Sequence, residues 1–127
     1  MKTLSLSLFL ISSTFAADWP QWRGPDKNNQ AAADAKPVTE WSADKNIRWK
    51  TPLPGRGHST PIFVGDKIYL TTGDQERGTQ SLISLDRKTG KILWEKIIHK
   101  SGFPEHLHKE NSPASQTAQW DGSNILV

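Results

Sequence analysis

The 127-residue chain contains no cysteine. It therefore has no disulfide framework, and no lipid can be attached through a Cys behind a leader. It also lacks any run of like charge. The formal net charge is +3, from 16 basic and 13 acidic side chains that are interspersed, so a nucleic-acid role has no electrostatic footprint. A long hydrophobic run is missing too. The longest, Leu4–Ile11, is mostly apolar but far shorter than the ~20 residues a membrane span needs. Two kinds of catalytic signature are absent as well. Pro54-Gly55-Arg56-Gly57-His58 is glycine-rich but is not followed by the Gly-Lys-Ser/Thr that cradles phosphate. Ser59, Ser112 and Ser115 have no identifiable base–carboxylate partnership, so a hydrolase triad is not supported.

The first segment is a targeting signal. Lys2 gives a positive start, Leu4–Ile11 the short apolar core, and Thr14-Phe15-Ala16 ends in a small residue. Met1–Ala16 is read as a secretory signal peptide cleaved after Ala16. The mature product is expected to be soluble, in the periplasm or outside the cell. Losing Lys2 lowers its formal charge by one.

The rest of the chain is organised around Ser81–Ile98. Two strand-type runs flank a polar turn, with Asp86 placed to accept backbone N–H groups and Gly90 to supply a positive φ. Strict alternation sends Ile92 and Trp94 one way and Leu93 and Ile97 the other. A strand apolar on both faces wants cover on both, and a lone hairpin in water is marginal. The hairpin is expected to sit between neighbouring sheets.

Ser84-Leu85-Asp86-Arg87-Lys88-Thr89-Gly90-Lys91-Ile92-Leu93-Trp94 resembles the tryptophan-docking repeat of quinoprotein-type (PQQ-like) β-propellers, Ala-x-Asp-x-x-x-Gly-x-x-x-Trp. Asp86, Gly90 and Trp94 match, and Ser84 replaces the usual Ala. Asp18-Trp19-Pro20-Gln21-Trp22-Arg23-Gly24-Pro25 also resembles the opening of secreted bacterial proteins of this kind. The resemblance implies an all-β fold of four-stranded antiparallel blades. It makes Ser84, Asp86, Gly90 and Trp94 a structural docking motif, with Trp94 a buried anchor.

The remaining segments fit that reading. Residues 17–44 form an irregular arm; its opening, Asp18–Pro25, is broken by Pro and Gly, and the two Trp there are expected to pin the arm to a larger body. Ala31–Ala35 allows one helical turn before Pro37. Repeats occupy residues 45–127. Asn46–Lys50 reads as a strand, with Trp49 at a spacing of 45 before Trp94. Thr60–Val64, Gly65-Asp66 and Lys67–Thr72 read as a hairpin, and Pro61 confines its first strand to an edge or an entry position. Gly73–Gln80 and His99–Ser115 read as polar loops. Thr117–Val127 repeats the first hairpin at an offset of 57, matching Phe63 to Trp120, Gly65 to Gly122 and Ile68 to Ile125. Such self-matches mark a repeat fold. Residues 60–98 make one full blade, with part-blades before and after. Val127 falls inside an apolar strand and burial of a continuous core usually takes at least three repeats. The chain is therefore expected to be the N-terminal portion of a longer propeller that folds poorly alone.

Blade topology gathers the long loops on one face, which is where function usually sits. That face would carry Arg56, His58, Glu76, Arg77, His99, His106, His108 and Asn111. His106 and His108 would share a side if extended, but a zinc site wants three or four matched ligands, so no metal is assigned. No catalytic residue is assigned either. Two function classes follow from the resemblance. The first is a non-catalytic binding or assembly scaffold in the cell envelope, with envelope proteins or a small molecule on the long-loop face. The second is a PQQ-dependent dehydrogenase with its active-site residues beyond Val127. PQQ and calcium enter through the resemblance alone, and no motif here maps onto their ligands.

The leader reading has a direct test. Mass spectrometry of the exported protein should show an N-terminus at Ala17, or at Asp18 if processing slips by one. Exported material that retains Met1 would refute it.

Overall fold

The computed structural model describes residues 17–101, 103, 108 and 110–127. The expected signal peptide and His106 lie outside the described residues. Four strands form one antiparallel sheet in meander order: β1 (Ile62–Val64), β2 (Lys67–Asp74), β3 (Thr79–Asp86) and β4 (Ile92–Lys100). A second hairpin pairs β5 (Gln119–Trp120) with β6 (Ile125–Leu126). Among the described residues no helix is long and apolar enough to cross a membrane.

The strands run further than their apolar content suggests. The β2–β3 ladder continues through Gly73↔Gln80 and Asp74↔Thr79, so the expected loop at Gly73–Gln80 shrinks to a tight turn. The extension holds because Gly73 pairs with Arg56 on its other side, each N–H donating to the other's carbonyl at 2.9 Å. β4 likewise reaches Lys100. His99–Ser115 is also not uniformly a solvated loop, because Ser112 and Ala114 are both 4 % exposed.

The sheet is apolar on both faces, and each is covered at its centre. Ile62 and Leu82 pack with Ala118, flanked by Val64, Tyr69, Trp120 and Ile125, so the β5–β6 hairpin covers one face. Ile68, Ile83 and Leu85 pack on the other face with Trp49, Phe63, Leu70 and Ile92. Fully burying an Ile contributes about 1.5–3 kcal/mol, and Ile62 and Ile83 are both 0 % exposed.

Two sequence expectations are corrected. Ile92 and Trp94 lie on opposite faces. Ladder partners are Leu85↔Ile92 and Ser84↔Trp94, so Leu93 is an extra residue in a β-bulge, and a bulge breaks the two-residue alternation. Asn46–Lys50 is not a strand. It has no ladder neighbour and is held by side-chain contacts instead.

The repeat shows in the register. Phe63↔Ile68 in the first hairpin corresponds, at the offset of 57, to Trp120↔Ile125 in the second. The arm then links these equivalent positions. Phe63 N–H donates to the Trp19 carbonyl and Trp120 N–H to the next carbonyl, that of Pro20, both at 2.9 Å. Trp19 N–H donates back to Phe63 at 2.8 Å. The arm therefore covers the free edge of β1 and ties it to β5. Asp18 adds an acceptor for Gly65 N–H at 2.9 Å, and the Arg87 guanidinium donates to Gly65 and Ala17 carbonyls while lying 5.2 Å above the Phe63 ring.

Ser84 tests the packing account. It is 0 % exposed, and its hydroxyl has no partner among the described residues. A buried unmet hydroxyl costs about 1–3 kcal/mol. Ser84→Ala should therefore be neutral or stabilising by roughly 1 kcal/mol in a urea melt, whereas Ile83→Ala should cost about 2–5 kcal/mol. Clear destabilisation by Ser84→Ala would mean that the hydroxyl has a partner after all.

Candidate functional site

The turn from Asp86 to Gly90 is closed by a set of hydrogen bonds centred on Asp86. Asp86 Oδ1 accepts from both the Thr89 N–H and the Thr89 hydroxyl at 2.7 Å. Its carbonyl accepts from Gly90 N–H at 2.8 Å. The Thr89 hydroxyl, and then its N–H, hold the Asp86 carboxyl below the usual carboxylate range, which favours the ionised acceptor. Gly90 is buried with φ +73°. A Cβ there would run into the Trp49 indole and lie 2.8 Å from Thr51 Oγ1. Trp49 Nε1 donates to the Arg87 carbonyl at 3.2 Å, and Thr51 Oγ1 to the Gly90 carbonyl at 2.7 Å. The ring resting on Gly90 is thus Trp49, from the chain before β1. Trp94 stands on the opposite face, 40 % exposed, with its ring centroid 5.9 Å from that of Tyr69.

Beside Trp94 the sheet face opens into a groove of ≈ 600 Å³ lined by Tyr69, Leu82, Trp94, Ile98, Ile125 and Val127, with Glu95 and Lys96 also at its walls. Leu93, Ile97 and Ile98 of β4 are exposed as well.

The structure joins some of the long-loop residues and separates others. Arg56 donates to the Asn111 carbonyl at 2.8 Å, and His58 N–H to the Ala114 carbonyl at 2.9 Å. The strand-end residues continue this stitching: Thr71 Oγ1 donates to Gln116 O at 2.8 Å, Thr72 to Pro54 O and Gln80 to Pro113 O. Residues 111–117 therefore strap the long-loop face down. Arg77 turns to the sheet, meeting both Glu95 oxygens at 3.1 and 3.3 Å, and Ser81 donates to Glu95 at 2.7 Å. Glu76, His58, His99 and His108 are exposed. His108 Nδ1 accepts from Glu110 N–H at 3.2 Å. Among the described residues no three His, Asp or Glu side chains converge on a metal position.

Sequence reasoning missed three contributors: Trp49 over Gly90, Tyr69 against Trp94, and the Asp18–Arg87–Phe63 anchor. The spacing of Trp49 and Trp94 was a signal for the first. The others join residues remote in sequence and leave no local pattern. Of the two Trp in the arm's opening stretch, Asp18–Pro25, only Trp19 is pinned, packing 2.7 Å from where a Gly24 Cβ would lie; Trp41, further along the arm, is 71 % exposed. Trp22 is 63 % exposed, because it projects from the turn beyond the arm's last tie to β5.

Gly90→Val should destabilise the fold by about 1–3 kcal/mol for the positive φ alone, with a further loss for the displaced indole. Trp49→Ala should cost several kcal/mol, toward the ~3–5 kcal/mol of buried Trp deletions, and more than Trp94→Ala. Denaturant melts of the three variants check the order. If Trp94→Ala is the costlier Trp change, Trp49 is not the indole that holds this sheet face.

No curated protein and no solved structure matches the chain. The PQQ_2 family model, described as "Outer membrane protein assembly factor BamB", matches residues 23–119. That span covers the turn at Arg23, the whole four-stranded sheet and the start of the second hairpin. The chain belongs to this family, and is a PQQ-like β-propeller repeat protein whose sheet is one four-stranded blade.

Proposed function

We propose that this protein is a non-catalytic binding and assembly scaffold of the cell envelope, exported by removal of Met1–Ala16. The observation that carries the reading is the family match, whose description is that of an outer membrane protein assembly factor. The site geometry supports it. The titratable groups on the long-loop face are engaged in strapping loops or exposed singly, while the blade presents apolar surface along β4. Antiparallel blades whose loops are stitched down suit holding partners better than moving protons.

In this reading residues 17–44 are the arm and 45–127 the repeats. Ser84, Asp86, Gly90 and Trp94 are a structural docking motif: Asp86 and Gly90 build a platform that Trp49 occupies, and Trp94 offers the next indole in the series. Partner proteins engage the long-loop face around Arg56 and His58.

The experiment deletes the gene in its own host, fractionates the cells, and quantifies outer-membrane β-barrel proteins. The purified protein is assayed in parallel for dye-linked dehydrogenase turnover with PQQ and calcium added. The protein should fractionate with the envelope, barrel proteins should fall several-fold and recover on complementation, and no turnover should appear. Turnover dependent on both PQQ and calcium, with barrel levels unchanged, would establish the dehydrogenase instead.

A further inference from the structure

The arm carries a feature that neither the blade nor an assembly role uses. Gln21, Trp22, Arg23 and Lys27 face Thr117 and Gln119 across a hollow of ≈ 290 Å³. This is close to the lower end of the ~300–1,000 Å³ range of small-molecule sites. It sits where the arm is fixed to β5, since Trp120 N–H donates to Pro20 O. Both walls are therefore anchored.

The chemistry of the walls is selective. Arg23 and Lys27 form no ion pair among the described residues, although Asp26 lies in the same turn. Two cations on one side of a hollow favour an anion, and a guanidinium favours a planar carboxylate. The Arg23 guanidinium lies 5.6 Å from the Trp22 ring centroid. With 63 % of its surface exposed, the indole still keeps apolar area free. The opposite wall is neutral and polar. Thr117 Oγ1 accepts from Thr60 N–H at 3.0 Å, leaving its own O–H to donate. Gln21 uses its N–H on Pro25 O at 3.2 Å, leaving its carbonyl to accept. Two amides, a hydroxyl, an indole with one face under the Arg23 guanidinium and the rest exposed, and two cations without ion pairs match a ring with hydroxyls, C–H faces and one carboxylate.

The backbone is held in an unusual shape here. Arg23 and Lys27 have φ of 67° and 57°, values that L side chains seldom adopt. Three backbone bonds fix them: Gly24 N–H to Gln21 O, Lys27 N–H to Gly24 O and Asn29 N–H to Arg23 O. Backbone strain of this kind clusters at binding sites.

From this convergence we propose that the hollow between the arm and β5 binds a carboxylate-bearing sugar ring, as in a uronic acid unit. The carboxylate meets Arg23 and Lys27, the ring stacks on Trp22, and its hydroxyls meet Gln21, Thr117 and Gln119. The proposal is independent of the assembly reading, because it concerns a different surface and its readout is direct binding.

Ligand-observed saturation-transfer NMR on the exported protein tests it, with D-glucuronate, D-glucose and acetate as probes. Glucuronate should bind saturably, and glucose and acetate each at least ~10-fold more weakly, the size of one charge-assisted contact or of the lost ring contacts. Arg23→Gln and Lys27→Gln should each weaken glucuronate roughly tenfold. Trp22→Ala should abolish binding, and Trp22→Tyr, which keeps a stacking face, should restore it. All four changes are on exposed side chains, so thermal melts should be unchanged. Glucose binding as well as glucuronate would overturn the role of the cations. Acetate binding as well would overturn the sugar. Absence of saturable glucuronate binding, or equal binding by Trp22→Ala, would overturn the site itself.

Discussion

A sheet that is apolar on both faces cannot stand alone in water, and this constraint shapes the molecule. Alternate residues of β2 and β3 point to opposite sides, and both sets are hydrophobic: Tyr69 and Leu82 on one, Ile68, Ile83 and Leu85 on the other. The chain supplies a cover for each. The β5–β6 hairpin brings Ala118, Trp120 and Ile125 to the first face, and the segment before β1 brings Trp49 to the second. Stability is shared between a sheet and its two neighbours, so no single strand pair is self-sufficient.

The second face shows how a small turn enables a large contact. A ring can rest on the turn because Gly90 has no Cβ, and it stays there because Trp49 Nε1 finds the Arg87 carbonyl. Asp86 fixes the turn that puts this carbonyl in place, through Thr89 and Gly90. Aspartate, glycine and tryptophan thus do separate physical jobs at one contact. Across the sheet, the arm applies the same economy to the inner strands. Two consecutive carbonyls, of Trp19 and Pro20, receive the N–H groups of Phe63 and Trp120, which occupy equivalent repeat positions. Repetition of sequence becomes repetition of backbone geometry.

Much of this was legible in the residues. The Gly65-Asp66 turn, the Asp86–Gly90 turn, the meander order and the equivalence of Phe63 with Trp120 all follow from local chemistry or self-similarity. What escaped was set by non-local pairing. Gly73 and Asp74 look like loop residues until Arg56 and the β3 strand pair with them. Leu93 looks like the back face of a regular strand until the bulge inserts it, and that one residue reverses the side on which Trp94 lies. Asn46–Lys50 has strand composition without a strand neighbour. The loop face was located by topology, but the strapping of Arg56 by Asn111 leaves no trace in composition. The two tryptophans of the arm's opening, Trp19 and Trp22, carry the same transfer free energy, yet only Trp19 has a glycine, Gly24, positioned beneath it.

That difference between two tryptophans separates structure from binding in this chain. An indole with a fixed platform, such as Trp49 on Gly90 or Trp19 on Gly24, has spent its surface on the fold. Trp22 has not, and the same holds for Arg23 and Lys27, which lack the carboxylates that Arg77 and Arg87 meet in Glu95 and Asp18. Exposed aromatic area raises the free energy of the uncomplexed surface, and the exposed cations, though well hydrated, remain available to a ligand's anion. When they adjoin one hollow, and the backbone there is held at positive φ, a single ligand can cover the aromatic face and meet the cations together. The blade itself, with its loops stitched and its central residues covered, leaves such unspent capacity at its margins: the arm for a small anion, and β4 for further packing.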